Sequence, residues 1–162
     1  MAESPAAPWL SPAQQALAQR ILRSHAQGFG KPLLAAVPPE HQAQELFACA
    51  TVVLAHDGAD PGGDPGPRLI YANAAALQLW QRPWAAMVGM PSRLTAAPTE
   101  RRDRARMLSQ ALEQQAISGY CGIRISGSGR RFQIANARLW TLWDERGCAC
   151  GQAAAFNSWW WL

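Results

Sequence analysis

No apolar run in this chain of 162 residues approaches the ~20 residues that a bilayer-spanning helix needs. The opening residues, MAESPAAPWLSPAQ, contain neither the basic stretch nor the apolar core of a secretory signal. Both absences lead to the expectation of a soluble, cytoplasmic protein. Cysteine is sparse: Cys49, Cys121, Cys148 and Cys150 form no CxxC pair and no metal-finger spacing. Buried free thiols in a reducing compartment are expected, with a disulfide or metal site as the alternative. Lysine is almost missing, because Lys31 is the only one among 15 Lys and Arg residues, and the formal charge of +4 is therefore carried by arginine. The arginines cluster in RRDRAR, residues 101–106. A solvated helix face is the simple reading of that run, and contact with nucleic acid or an acidic partner the sharper one. No aromatic residues interleave with the arginines, so nucleic-acid binding is not expected.

Catalytic signatures are missing too. There is no GxSxG elbow, no Walker loop and no GxGxxG opening a helix after a strand. The glycines of SGSG, residues 126–129, lie between two strand patterns and read as a hairpin turn. His25 and His41 sit in the N-terminal helical region, where solvation is the simple reading. His56 ends a strand beside a Pro/Gly loop, a place where it could bond to backbone or face a ligand.

What the chain does have is apolar mass: 49% hydrophobic residues and eight tryptophans, ample for one packed domain in which about 70% of the unfolded surface is buried. Ser11, Pro12 and Gln14 form a helix start, and Ala13, Leu17 and Ile21 make one narrow stripe before Gly28. Such a stripe suits a seam with a second copy of the protein, so a homodimer through residues 11–27 is expected. The competing expectation folds the helix over the domain's own sheet. A short helix follows Pro38, then strands at 51–55 and 68–72 with a Pro/Gly/Asp loop between them. Asn73 stands where YANAAALQLW turns from strand to helix and is expected to cap it, so that Asn73→Ala costs about 1 kcal/mol and Asn73→Asp almost nothing. A long helix is predicted over 98–117, with Ala105, Leu108, Leu112 and Ala116 inward. After Gly119 the period becomes two, with Cys121, Ile123 and Ile125 on the expected buried face. The strand at 131–143 alternates imperfectly, which calls for either a bulge near 135–137 or inward polar groups. A last strand of small residues starts at Gly151. Of the three consecutive tryptophans Trp159, Trp160 and Trp161, at least one must be exposed or lie in an interface.

This order of elements resembles PAS domains, in which a five-stranded sheet cups a pocket under helices. More specifically, YANAAALQLW, PSRLTAAPTERRDRARML and YCGIRISGSGRRFQIANARLWTLWDERGCACGQAAAF resemble the bacterial stand-alone MEKHL-domain proteins. The likeness runs from about Leu46 to Phe156. It implies an α+β fold: a PAS-like five-stranded antiparallel sheet with helices on one face, preceded by an N-terminal helix. Residues 1–45 are then an N-terminal helical extension and 46–162 the PAS-like domain. The function implied is a non-catalytic sensory or interaction module, binding a small apolar or anionic ligand and signalling to a protein partner in trans. The alternative is a small α+β enzyme with His56 and Arg93 lining one pocket. The ligand-binding candidates are His56, Asn73, Trp80, Trp84, Arg93, Thr95, Asn136 and Trp140. No cofactor is specified. Residues 73–84 lack the cysteine of flavin photoreceptors and 98–117 lack the histidine of haem-binding PAS domains, so neither group, nor a metal, is expected.

Overall fold

The computed structural model describes residues 7–60 and 63–162. Helix α1 (Pro12–Phe29) begins as its sequence dictates: Pro12 takes the first position and Ser11 Oγ accepts from the Gln14 N–H at 3.2 Å. Gly30 ends it in a left-handed conformation, φ 69°. A short helix α2 (Gln42–Ala48) leads to strand β1 (Val52–His56), which pairs with β2 (Leu69–Ala72). Helix α3 (Ala74–Trp80), the single turn α4 (Trp84–Met87) and helix α5 (Arg101–Gln114) precede β3 (Ala116–Ile125), β4 (Arg131–Trp143), β5 (Ala149–Phe156) and β6 (Ser158–Trp161).

All strand pairs are antiparallel, in the order β2-β1-β5-β4-β3, with β6 a sixth strand beside β4. The sheet thus has one strand more than expected. Strands β5 and β6 share one edge of β4, covering Arg138 to Trp143 and Phe132 to Ala135 respectively. The predicted bulge is present: Asn136 has φ 56°, and Phe132, Ile134, Ala137 and Leu139 all join one core cluster. Asparagine tolerates that left-handed backbone better than most residues.

Helices cover both faces of the sheet rather than one. On the first, Ala76, Leu79 and Trp80 of α3 and Ala111 of α5 pack against Val52, Phe132, Ile134, Leu139 and Phe156. On the second, Ala18 and Ile21 of α1 and Ala43 and Leu46 of α2 pack against Val53, Tyr71, Trp140 and Leu142. The stripe expected to face a second copy therefore faces this chain's own sheet, with Ile21 fully buried and Ala13 left exposed. Polar contacts fix the helix there. The Trp140 indole donates to the Ile21 carbonyl at 3.2 Å, and Ser24 Oγ accepts from the Trp143 N–H at 3.0 Å. His25, expected in solvent, is buried between them. Its Nε2 accepts from Arg138 at 2.8 Å and its Nδ1 meets the Lys31 carbonyl at 3.0 Å, an arrangement that needs a neutral ring protonated on Nδ1.

Candidate functional site

Between the first face of the sheet and α5 lies a small cavity of about 50 Å³. Its walls are mostly apolar, with Leu54, Leu69, Trp80, Leu108, Ile134, Leu139 and Phe156 among them. Set into these walls are His56, Thr95, Arg104, Tyr120, Arg124 and Gln152. An aliphatic lining with a few convergent polar groups is the usual make-up of a small-molecule site.

Helical spacing carries Arg104 inside. It precedes Leu108 by four residues and Ala111 by seven, so all three share the buried stripe of α5. The residue as a whole is 7% exposed, and its guanidinium makes no hydrogen bond or ion pair with any described residue. Burial, and then the neighbouring charge of Arg124, push its pKa down to about 9.

Arg124 arrives on β3. The face of β3 turned toward α5 is Tyr120, Gly122 and Arg124; Cys121 is exposed and Ile123 and Ile125 are half-buried. Arg124 donates to Tyr120 Oη at 2.8 Å and to the Ile123 carbonyl at 2.8 Å, and its guanidinium lies 5.5 Å from the Tyr120 ring centre. Gly122 lets these two side chains meet, because a Cβ there would collide with Tyr120 Oη and Arg124 Nη1. No carboxylate lines the cavity to neutralise the two arginines.

His56 completes the polar end. Its Nδ1 accepts from the Gly58 N–H at 3.1 Å, so the neutral ring carries its proton on Nε2. That N–H makes no well-formed hydrogen bond, its interaction with the Gln152 side chain across the ladder being only weak, and the ring is 5% exposed. Burial first, and Arg104 second, hold the His56 pKa near 4, against smaller opposing effects of Asp57 and Gln152. Gln152 stands opposite His56 in the β1–β5 ladder; its Nε2 donates to the Leu108 carbonyl at 3.0 Å while its Oε1 is buried without a partner. His56 Nε2 and Gln152 Oε1 thus place two buried polar atoms without a well-formed hydrogen bond in one small space, an arrangement that is costly when left unfilled.

Of the residues singled out from sequence, the structure brings His56, Trp80 and Thr95 to this cavity. The Trp80 indole donates to the Thr95 carbonyl at 3.3 Å, and Thr95 Oγ1 to the Ser92 carbonyl at 2.7 Å, so both are committed to holding the wall. The other five lie elsewhere. Asn73 is buried among backbone groups beneath β1. Trp84 packs on the opposite side, edge-on to Phe47 and Tyr71 and tilted against Trp9. Arg93 is on the surface, bonded to Asp64 at 3.3 Å and to the Pro65 carbonyl at 2.6 Å. Asn136 opens into a separate surface hollow beside Lys31 and Arg138, and Trp140 lies under α1. Arg93 and His56 therefore do not share a pocket, and the enzyme reading loses the pair on which it rested. Arg104 and Arg124 were missed because arginine was read as surface. The spacing from Arg104 to Leu108 and Ala111 was the available signal.

A wider hollow of about 440 Å³ between α1 and residues 32–42 is open to solvent. Among the described residues there is no cluster of three or more metal-ligating side chains, and no helix is long and apolar enough to cross a membrane.

Solved structures that share the fold include the following three. The PAS domain of a protein from Colwellia psychrerythraea has a TM-score of 0.61 at 14% identity, over 72% of this chain and 92% of that one. An RNA-binding light-oxygen-voltage receptor has a TM-score of 0.61 at 16% identity, over 77% of this chain and 35% of that one. A light-oxygen-voltage domain studied with a flavin analogue has a TM-score of 0.56 at 14% identity, over 74% of this chain and 83% of that one. The cavity described here is lined by no thiol. No curated protein matches the sequence. The model of the MEKHLA domain matches residues 15–161, nearly the whole chain, with α1 included from Gln15 onward. With its PAS-like α+β fold, the chain belongs to the MEKHLA domain family.

Proposed function

We propose that this chain is a non-catalytic, cytoplasmic sensory module that reads a small molecule held between β1, β3, β5 and α5 and passes the result to a protein partner in trans. The observation that carries this reading is the set of polar groups converging on one cavity: the buried His56 Nε2 and Gln152 Oε1, and the guanidinium of Arg104, which makes no hydrogen bond or ion pair with a described residue. A structure retains such groups at a cost unless something binds them. The lining also supports binding over chemistry, since it holds no carboxylate and no thiol.

An aromatic path gives the output a route. Trp80 meets Phe132 edge-on at 5.1 Å, and Phe132 meets Trp161 at 5.6 Å and Trp159 at 6.2 Å. Trp159 and Trp160 are 37% and 51% exposed on β6. A ligand that shifts Trp80 therefore disturbs packing under an exposed aromatic strand suited to a partner surface. A homodimer would form through β6, because the stripe of α1 is already covered.

The test is a melting screen of the full chain against small water-soluble metabolites, repeated with Ala154→Leu, which adds bulk to the cavity wall. At least one compound is expected to raise the melting temperature saturably, and Ala154→Leu, still unfolding cooperatively, is expected to lose that response. A screen without any saturable shift, or a shift that survives in Ala154→Leu, would overturn the reading.

A further inference from the structure

We infer that the molecule recognised in this cavity is a compact monocarboxylate with a short aliphatic tail, its carboxylate held by Arg104, Arg124 and the Nε2–H of His56. The inference rests on the sensory reading above and gives its ligand a chemical class. Three features carry it.

The first is charge. Arg104 and Arg124 are each 7% exposed, are close enough to repel, and have no acidic side chain among the residues lining the space. A buried cation without a counter-ion is strongly unfavourable, and an anionic guest supplies the missing charge. The second is donor geometry. Arg104 has its whole fork unspent, Arg124 has spent two of its five N–H donors, and His56 adds one N–H that can only donate. A set made almost wholly of donors matches a carboxylate, which only accepts. A neutral ligand would leave most of these donors unpaired.

The third is size and lining. The space of about 50 Å³ holds about four or five non-hydrogen atoms if each water-sized volume is filled. The same space is lined by Leu54, Leu108, Ile134 and Leu139, so an inorganic oxyanion would satisfy the arginines and leave this apolar surface without contacts. A carboxylate carrying two or so carbons uses both ends.

The experiment is thermal unfolding of the full chain with sodium propionate, compared with sodium chloride and sodium nitrate at equal ionic strength and with the isosteric neutral amide propionamide. Propionate is expected to raise the melting temperature saturably, beyond chloride, nitrate or propionamide. Arg104→Met and Arg124→Met are each expected to weaken its apparent affinity about tenfold or more. Arg104→Met is also expected to melt no lower than the parent when propionate is absent, because it removes an uncompensated buried charge. The comparison of propionate with propionamide needs no variant and stands even where a variant fails to fold. An equal shift with propionamide would overturn charge recognition while leaving a ligand-reading cavity in place. An equal shift with nitrate would reduce the site to one for inorganic oxyanions, and no shift beyond chloride would remove the carboxylate altogether.

Discussion

Asn73→Asp is expected to destabilise the domain at least as much as Asn73→Ala, by about 3–5 kcal/mol in each case. The capping role expected from sequence is real, for Asn73 Oδ1 accepts from the Ala76 N–H at 3.1 Å. It is a small part of what the side chain does. The same oxygen accepts from the Val53 N–H at 3.0 Å, and Nδ2 donates to the Thr51 carbonyl at 2.7 Å and the Leu46 carbonyl at 3.2 Å. One fully buried amide thereby ties α2, β1 and α3 together. Alanine strands two buried N–H groups and two carbonyls. Aspartate keeps the acceptor but points a buried negative charge at the Thr51 and Leu46 carbonyls, which repel it. The sequence-based expectation of a loss near 1 kcal/mol for alanine and a silent aspartate is thus replaced. Urea unfolding of the two variants decides: an aspartate variant as stable as the parent would reduce Asn73 to a cap.

Acid is expected to unfold the domain from the histidines, before most carboxylates titrate. His25 and His56 are both held near pKa 4, first by burial and then by a neighbouring guanidinium, Arg138 for one and Arg104 for the other. In the unfolded chain each returns to about 6.5. Between these values the unfolded state binds protons that the folded state refuses, so stability falls as pH drops from about 6.5 to about 4 and levels off below. Each histidine contributes a loss of up to about 3 kcal/mol, and the two together rival the whole stability of a typical domain. Urea midpoints at pH 7, 5.5 and 4.5 should decline steeply. His25→Gln, which keeps one donor and one acceptor, should flatten part of that slope. A midpoint unchanged from pH 7 to 4.5 would show that the rings are charged or solvated in the folded state.

Much of the architecture was legible in the sequence because period and punctuation agree there. The Ser11–Pro12 start, the strand-to-helix turn at Asn73 and the phase break near Asn136 each rest on a local rule, and the chain obeys them. Two features were not legible. The destination of α1 depends on which surface is left uncovered, and a stripe of Ala13, Leu17 and Ile21 does not say whether its partner is a sheet or a second copy. The candidate site was partly hidden by hydrophobic ranking. In β3 the isoleucines Ile123 and Ile125 suggested the inward face, whereas Tyr120, Gly122 and Arg124 hold it. In α5 the cluster of arginines suggested solvent, although Arg104 falls on the buried stripe. Binding function appears where polar residues occupy positions that packing alone would give to apolar ones, and a reading based on hydrophobicity passes over those positions first.

The most direct measurement is a crystal structure of the full chain grown with sodium propionate. A carboxylate is expected between the guanidinium groups of Arg104 and Arg124, with one oxygen within hydrogen-bonding distance of His56 Nε2 and the ethyl group against Leu108 and Ile134. A structure in which Arg104 turns out to solvent and apolar side chains close over the space, with no propionate inside, would contradict this.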